Sequence, residues 1–187
     1  MMLNLLLKIP AEQKAFLDNV RAAMQRYFGD DQQRIDHALQ VYRHAEELLA
    51  FIEADPLVAL TSAYLHDIGI HEAQRKHGSN AGNWQEIEGP PIAAQILAEL
   101  NAGTAFVDQV TEIIGKHHTR GGVDSPEFRI IWDADALVNF VGALPAKNDE
   151  QIEALLHSHM VTAPGFRIAR RLFMQDAESH QQWPPVN

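Results

Sequence analysis

The chain contains no cysteine. That excludes disulfides, thiolate metal sites and a cysteine nucleophile, and it suits a reducing cytosol, so a cytoplasmic location is expected. Positive charge is scarce: 15 Lys and Arg stand against 25 Asp and Glu, a formal net charge of −10. A surface of that sign lacks the basic face that counterion-release binding needs, so neither polymeric nucleic acid nor an anionic membrane is expected as a partner. An anionic small molecule is compatible with it where a metal ion and a few cations supply local positive charge. No apolar run is long enough to cross a bilayer. Met1-Met2-Leu3-Asn4-Leu5-Leu6-Leu7 is too short for that, has no basic leader or small-residue cleavage site, and reads as a docking segment or strand-like tail.

What is present is helix-forming. The composition, 46% hydrophobic and 21% charged, is that of a globular chain, and without a repeat or linker its 187 residues read as one all-α domain. Pro10 opens a first helix and Gly29 closes it. Asp30 or Asp31 caps a second, running to about Glu53 with Ile35, Ala38, Val41, Ala45, Leu48 and Ile52 as its buried stripe. Asp55-Pro56 opens a third. The polar stretch from Ile70 to Glu88 reads as the longest loop, Pro90-Pro91 as the start of a further helix, and Thr104 as the cap of the next. Ser125-Pro126 opens the helix carrying Ile130-Ile131-Trp132-Asp133-Ala134-Asp135, and two weaker helices follow within 149–180, ahead of Trp183-Pro184-Pro185.

His66–Asp67 ends the third helix, after Leu57, Val58, Ala59, Leu60, Ala63, Tyr64 and Leu65. That run is apolar on nearly every side, as in a central buried helix. An imidazole and a carboxylate there are costly to desolvate unless something pairs with them, and a bound cation would do so. His37 lies on the face of its helix that carries Val41, Ala45 and Leu48, so it points inward. His44 shares that face, and nothing further recommends it. Asp133 and Asp135 lie about 200° apart around their helix and cannot comfortably serve one ion. Periodicity does not choose between them; one suits a ligand, the other a hydrogen-bond partner. His117 and His118 end another apolar helix, and Glu86 and Glu88 read as first-turn acids ahead of Pro90. Arg75, Lys76 and His77 make a basic cluster in an acidic chain, either a phosphate clamp or a solvated face.

A lone histidine on one helix, a His-Asp pair ending a later one, and a distant aspartate in Ala134-Asp135-Ala136-Leu137 resemble the HD superfamily of metal-dependent phosphohydrolases. The resemblance spans roughly residues 30–142. It implies a helical bundle with His37, His66, Asp67 and Asp135 as metal ligands, and so selects Asp135 over Asp133. His118 resembles one of the extra histidines that bind a second ion in some branches. The other such histidine would fall near Glu88-Gly89-Pro90, where this chain has Glu88. The acid found four residues after the His in some nucleotidase and alarmone-hydrolase branches is replaced by Ile70, with Glu72 displaced nearby.

Two imidazoles and two carboxylates suit Mn²⁺, Fe²⁺, Co²⁺ or Zn²⁺. The expected activity is hydrolysis of a small phosphate ester or nucleotide by metal-activated water. In that scheme Asp67, His118 and His117 take catalytic roles, and Lys76, Arg75 and Glu88 contact the substrate. A second ion, and a homodimer, are left open. The rivals are a dinuclear phosphodiesterase or iron oxygenase, and a non-catalytic metal- or nucleotide-binding sensor.

Overall fold

The structure, a computed structural model, describes residues 9–144 and 147–174. Met1–Leu7, the last residues of the expected final helix and Trp183-Pro184-Pro185 fall outside that range. The described residues form helices without a strand, and none of these helices is long and apolar enough to cross a membrane.

Helices α1 (Ala11–Phe28), α2 (Gln32–Leu49) and α3 (Pro56–Leu65) build the centre. Asp31 caps α2 by accepting from the Arg34 amide, and Asp55 caps α3 through the amides of Leu57 and Val58, with Pro56 in the first turn. Every residue of α3 from Val58 to Leu65 is buried. Leu60 and Leu65, each worth about 1.5–3 kcal/mol on full burial, hold it by packing rather than by intrinsic propensity. Its neighbours are α1, α2, α6 (Thr104–Ile114) and α7 (Pro126–Ala143).

Four boundaries differ from the sequence expectations. Residues Ile70–His77 form a helix, α4, where a loop is expected; only Ile70 and Ala73 are buried, and its charges pair across one turn, Glu72 with Arg75 and Lys76. Gly82–Glu99 is one helix, α5, that carries Pro90 and Pro91 inside it, so Glu86 and Glu88 stand mid-helix and not in a first turn. Gly103, not Thr104, occupies the N-cap of α6, with no side-chain cap bond. The second helix also ends at Leu49, short of Glu53.

The turn 66–69 sends the chain from α3 into α4, and there its backbone rests directly on α5. A Cβ on Gly69 would lie 2.6 Å from the Gly89 nitrogen and 2.7 Å from the Gln85 carbonyl oxygen, so this crossing admits only glycine. Helices α8 (Asp149–His159) and α9 (Ala163–Phe173) pack on one another, and α9 packs on α7. Asn148 and Gln151 form a capping box on α8, and Thr162 caps α9 through the Gly165 amide.

Candidate metal centre

Three elements deliver four donor side chains to one point. Helix α2 presents His37, the α3–α4 turn presents His66 and Asp67, and the middle of α7 presents Asp135. His37 Nε2 lies 3.1 Å from His66 Nε2, 3.5 Å from Asp67 Oδ2 and 3.0 Å from Asp135 Oδ1. His66 Nε2 lies 3.7 Å from Asp67 Oδ2 and 3.6 Å from Asp135 Oδ1. With metal–nitrogen bonds of about 2.1 Å, adjacent ligand atoms stand about 3.0 Å apart in an octahedron and about 3.4 Å apart in a tetrahedron. The observed separations, 3.0–3.7 Å, lie at or just beyond this range, and His37, His66 and Asp67 form a group that could hold a metal ion, with Asp135 beside both imidazoles.

The imidazoles are set in the ligating tautomer. His66 Nδ1 donates to the Ala63 carbonyl at 2.9 Å, which leaves a lone pair on Nε2 facing the centre. His117, in the turn after α6, repeats the device: Nδ1 donates to the Ile114 carbonyl at 2.7 Å. Its Nε2 is buried without a hydrogen-bond partner among the described residues, 3.5 Å from Asp67 Oδ1. A buried lone pair aimed at a carboxylate calls for a cation or a proton between them.

The electrostatics agree. Burial alone pulls the His66 pKa down, but the carboxylates of Asp67 and Asp135 outweigh it and push it up to about 9. Burial works against ionisation of Asp67 and Asp135, yet the imidazoles hold both well below the usual carboxylate range: His66 and His117 act on Asp67, His37 and His66 on Asp135. The cluster draws positive charge to its middle.

Asp133 is turned elsewhere. Fully buried, it accepts from the Val161 amide at 2.8 Å, the Thr162 amide at 2.9 Å and the Thr162 hydroxyl at 2.6 Å. Burial pushes its pKa up to about 6, against those donors. His44 faces Glu47 at 3.7 Å and takes no part in the cluster.

Asp67, His117 and His118 form a second group of donor atoms mutually within 4.8 Å. Glu86, mid-way along α5, holds this turn by accepting from the His118 amide and the Thr119 hydroxyl, both at 3.0 Å. Glu88 is engaged differently: its carboxylate accepts from Lys76 Nζ at 2.6 Å and pairs with His77 Nε2 at 2.9 Å. Arg75 pairs with Glu72 at 2.6 Å.

A cavity of about 760 Å³ opens over the centre, bounded by His37, Asp67, His118 and Asp135. Five carboxamides, Gln33, Gln40, Asn80, Gln85 and Asn139, line it beside the carboxylate of Asp36. Neither Arg75 nor Lys76 lines it; among the described residues the one Arg or Lys side chain that does is Arg34. Sequence reasoning passed over Arg34, although it stands three residues before His37 on the same helical face. Glu86 was noticed for the wrong reason, since Pro90 concealed that α5 continues through it.

A helical bundle thus gathers two histidines and two aspartates from separate elements, with a His/Asp group that could hold a metal ion. The chain belongs to the HD domain family, whose model matches residues 34–139, more than half of the chain. HD domains bind divalent metals and form a superfamily of metal-dependent phosphohydrolases. No curated protein and no solved structure gives a match.

Proposed function

We propose that this chain is a phosphohydrolase acting on a small phosphate ester or nucleotide, with His37, His66, Asp67 and Asp135 holding a divalent transition ion, Mn²⁺, Fe²⁺, Co²⁺ or Zn²⁺. The observation that carries this is the convergence of their four donor atoms at ligand–ligand distances beneath one open cavity. When bound, such an ion lowers the pKa of a coordinated water and neutralises charge on a phosphoryl group. The protein side chains do the rest. Asp67 orients the attacking face through Oδ1, which also faces His117. Arg34 is the phosphate-facing cation, in the role that sequence alone gave to Lys76 or Arg75. His118, on the cavity wall with its amide fixed by Glu86, is placed to pass a proton to the leaving oxygen. The carboxamides supply donors and acceptors for a polar, uncharged remainder of the ester. A cytoplasmic setting belongs to this reading.

The second group, Asp67 with His117 and His118, favours a dinuclear variant in which these three residues would hold a second ion. Elemental analysis with iron spectroscopy separates the cases: one ion per chain for the hydrolase, two for a dinuclear phosphodiesterase or iron oxygenase. The hydrolase is tested by a panel of phosphoesters and nucleotides run with each metal. Turnover by the wild type, lost together with the metal in Asp67→Ala and kept in His44→Ala, is the expected result. Metal-loaded protein that binds nucleotide yet turns over no ester would make it a sensor instead.

A further inference from the structure

A second, smaller cavity of about 230 Å³ adjoins the first, and the two share His118, Asp135 and Asn139. Its far wall is Trp132, Phe140 and His159. His159 is the last residue of α8 and lies outside the segment that matches the family, so the C-terminal helices reach into the centre here.

The His159 ring is held from several sides. It stacks on Trp132, with centroids 5.3 Å apart and planes 23° from parallel, and meets the edge of Phe140 at 5.2 Å. The backbone around it is tied down just as firmly. Arg120, in the turn that follows His118, donates to the Ser158 carbonyl at 2.6 Å. Trp132 Nε1 donates to the His159 carbonyl at 3.0 Å. Asp133 accepts from the Val161 and Thr162 amides. Adjacent residues of α7, two and three positions before Asp135, thus grip the chain at and just after this imidazole, and Arg120 holds the residue before it. Neither ring nitrogen has a hydrogen-bond partner among the described residues. An imidazole fixed so rigidly, half-buried on a cavity wall and with both nitrogens unused, is arranged for a ligand.

We propose that this inner cavity is a subsite for the ring-bearing organic end of the phosphate ester, and that His159 hydrogen-bonds that ring and sets specificity for it. The proposal rests on the phosphohydrolase reading for its substrate. Pockets that take a whole drug-sized ligand run to about 300–1,000 Å³; this one is smaller and suits a single heterocycle with its phosphate over the metal cluster. Burial, and then the charge of Arg120, push the His159 pKa down, so near neutrality the ring offers one donor and one acceptor. That pairing matches the edge of a nucleobase, and the aromatic wall matches its face.

The test uses full-length wild type, His159→Ala and His159→Gln, with metal content and unfolding temperature measured on each. Substrates are adenosine 5′-monophosphate, cytidine 5′-monophosphate and p-nitrophenyl phosphate, whose ring lacks a donor–acceptor edge. Loss of one neutral hydrogen bond corresponds to about a tenfold effect. His159→Ala should therefore raise KM for the nucleotide that the wild type prefers about tenfold, with kcat within twofold, leave metal content unchanged, and raise KM for p-nitrophenyl phosphate clearly less, by under about threefold, because only the ring contact is lost there. His159→Gln should recover part of the loss. Unchanged KM for both nucleotides, or an equal loss on p-nitrophenyl phosphate, overturns the proposal. If the wild type hydrolyses neither these three nor any ester of the wider panel with any of the metals, the phosphohydrolase reading fails, and the subsite is judged by NMR of the His159 ring during titration with adenosine and cytidine. Saturable shifts of its nitrogens then uphold the subsite, and their absence overturns it.

Discussion

Replacing Asp133 by alanine separates its role from that of Asp135, two residues away. The carboxylate of Asp133 serves two amides and a hydroxyl between α8 and α9. After truncation the Thr162 hydroxyl can turn, and it still accepts from the Gly165 amide. The Val161 and Thr162 amides stay in place without acceptors. Each stranded donor costs about 1–3 kcal/mol, so the pair costs about 4 kcal/mol, a large part of the roughly 5–15 kcal/mol that a domain possesses. At about 2–4 °C per kcal/mol for a chain of this size, the unfolding temperature should fall by about 8–16 °C. Metal binding should survive, because no donor of the cluster is touched. An ion at about a hundred times its dissociation constant adds about 2.7 kcal/mol, which is read as the rise in unfolding temperature between chelator-treated and metal-loaded protein. That rise should persist in Asp133→Ala and vanish in Asp135→Ala, with metal per chain measured alongside. If Asp133→Ala abolished the rise while the chelated protein melted as wild type does, the assignment of the two aspartates would be reversed.

Other consequences are open to measurement. Arg34→Ala should raise KM for an anionic ester by about 10–100-fold, the effect of losing a charged hydrogen bond, whereas Lys76→Ala should leave steady-state kinetics nearly unchanged. The α4–α5 contact should be acid-labile. Across that contact Lys76 and His77 hold the Glu88 carboxyl below its ordinary value. A folded value below the unfolded one means that this stabilisation is complete above about pH 4.5 and fades as pH falls below it. Urea melts across that range should therefore show a shallower loss for Glu88→Gln than for wild type, from a lower starting stability; parallel curves would refute the account.

The buried helix α3 and the inward stripe of α2 were legible in the sequence because burial imposes a period, and Asp55-Pro56 and Ser125-Pro126 because caps are local chemistry. The His66–Asp67 pair drew notice as an energetic anomaly, and Asp135 came from family resemblance rather than from periodicity. Helix α4 was hidden because it buries only Ile70 and Ala73 and balances its charges along its own surface, which leaves a pattern that looks like a loop. Pro90-Pro91 misled in the opposite direction, since proline favours a first turn, yet here tertiary packing carries α5 through both. Arg34 and His159 have meaning only through the cavities they line, and one sequence in isolation contains no statement of which side chains share a cavity.

The crossing of Gly69 over Gly89 bears on how this site can drift over generations. Asp67 and the turn bearing His117 and His118 both take their positions from α5, one through touching backbones and the other through the Glu86 carboxylate. Most of the outward face of α5 can therefore change freely with no effect on the distance between them. A single methyl group at Gly69 would instead wedge the corner outward and change the bite of the donor set. Variation among close relatives should accordingly be broad on the outer face of α5 and almost nil at Gly69, which carries no chemistry of its own.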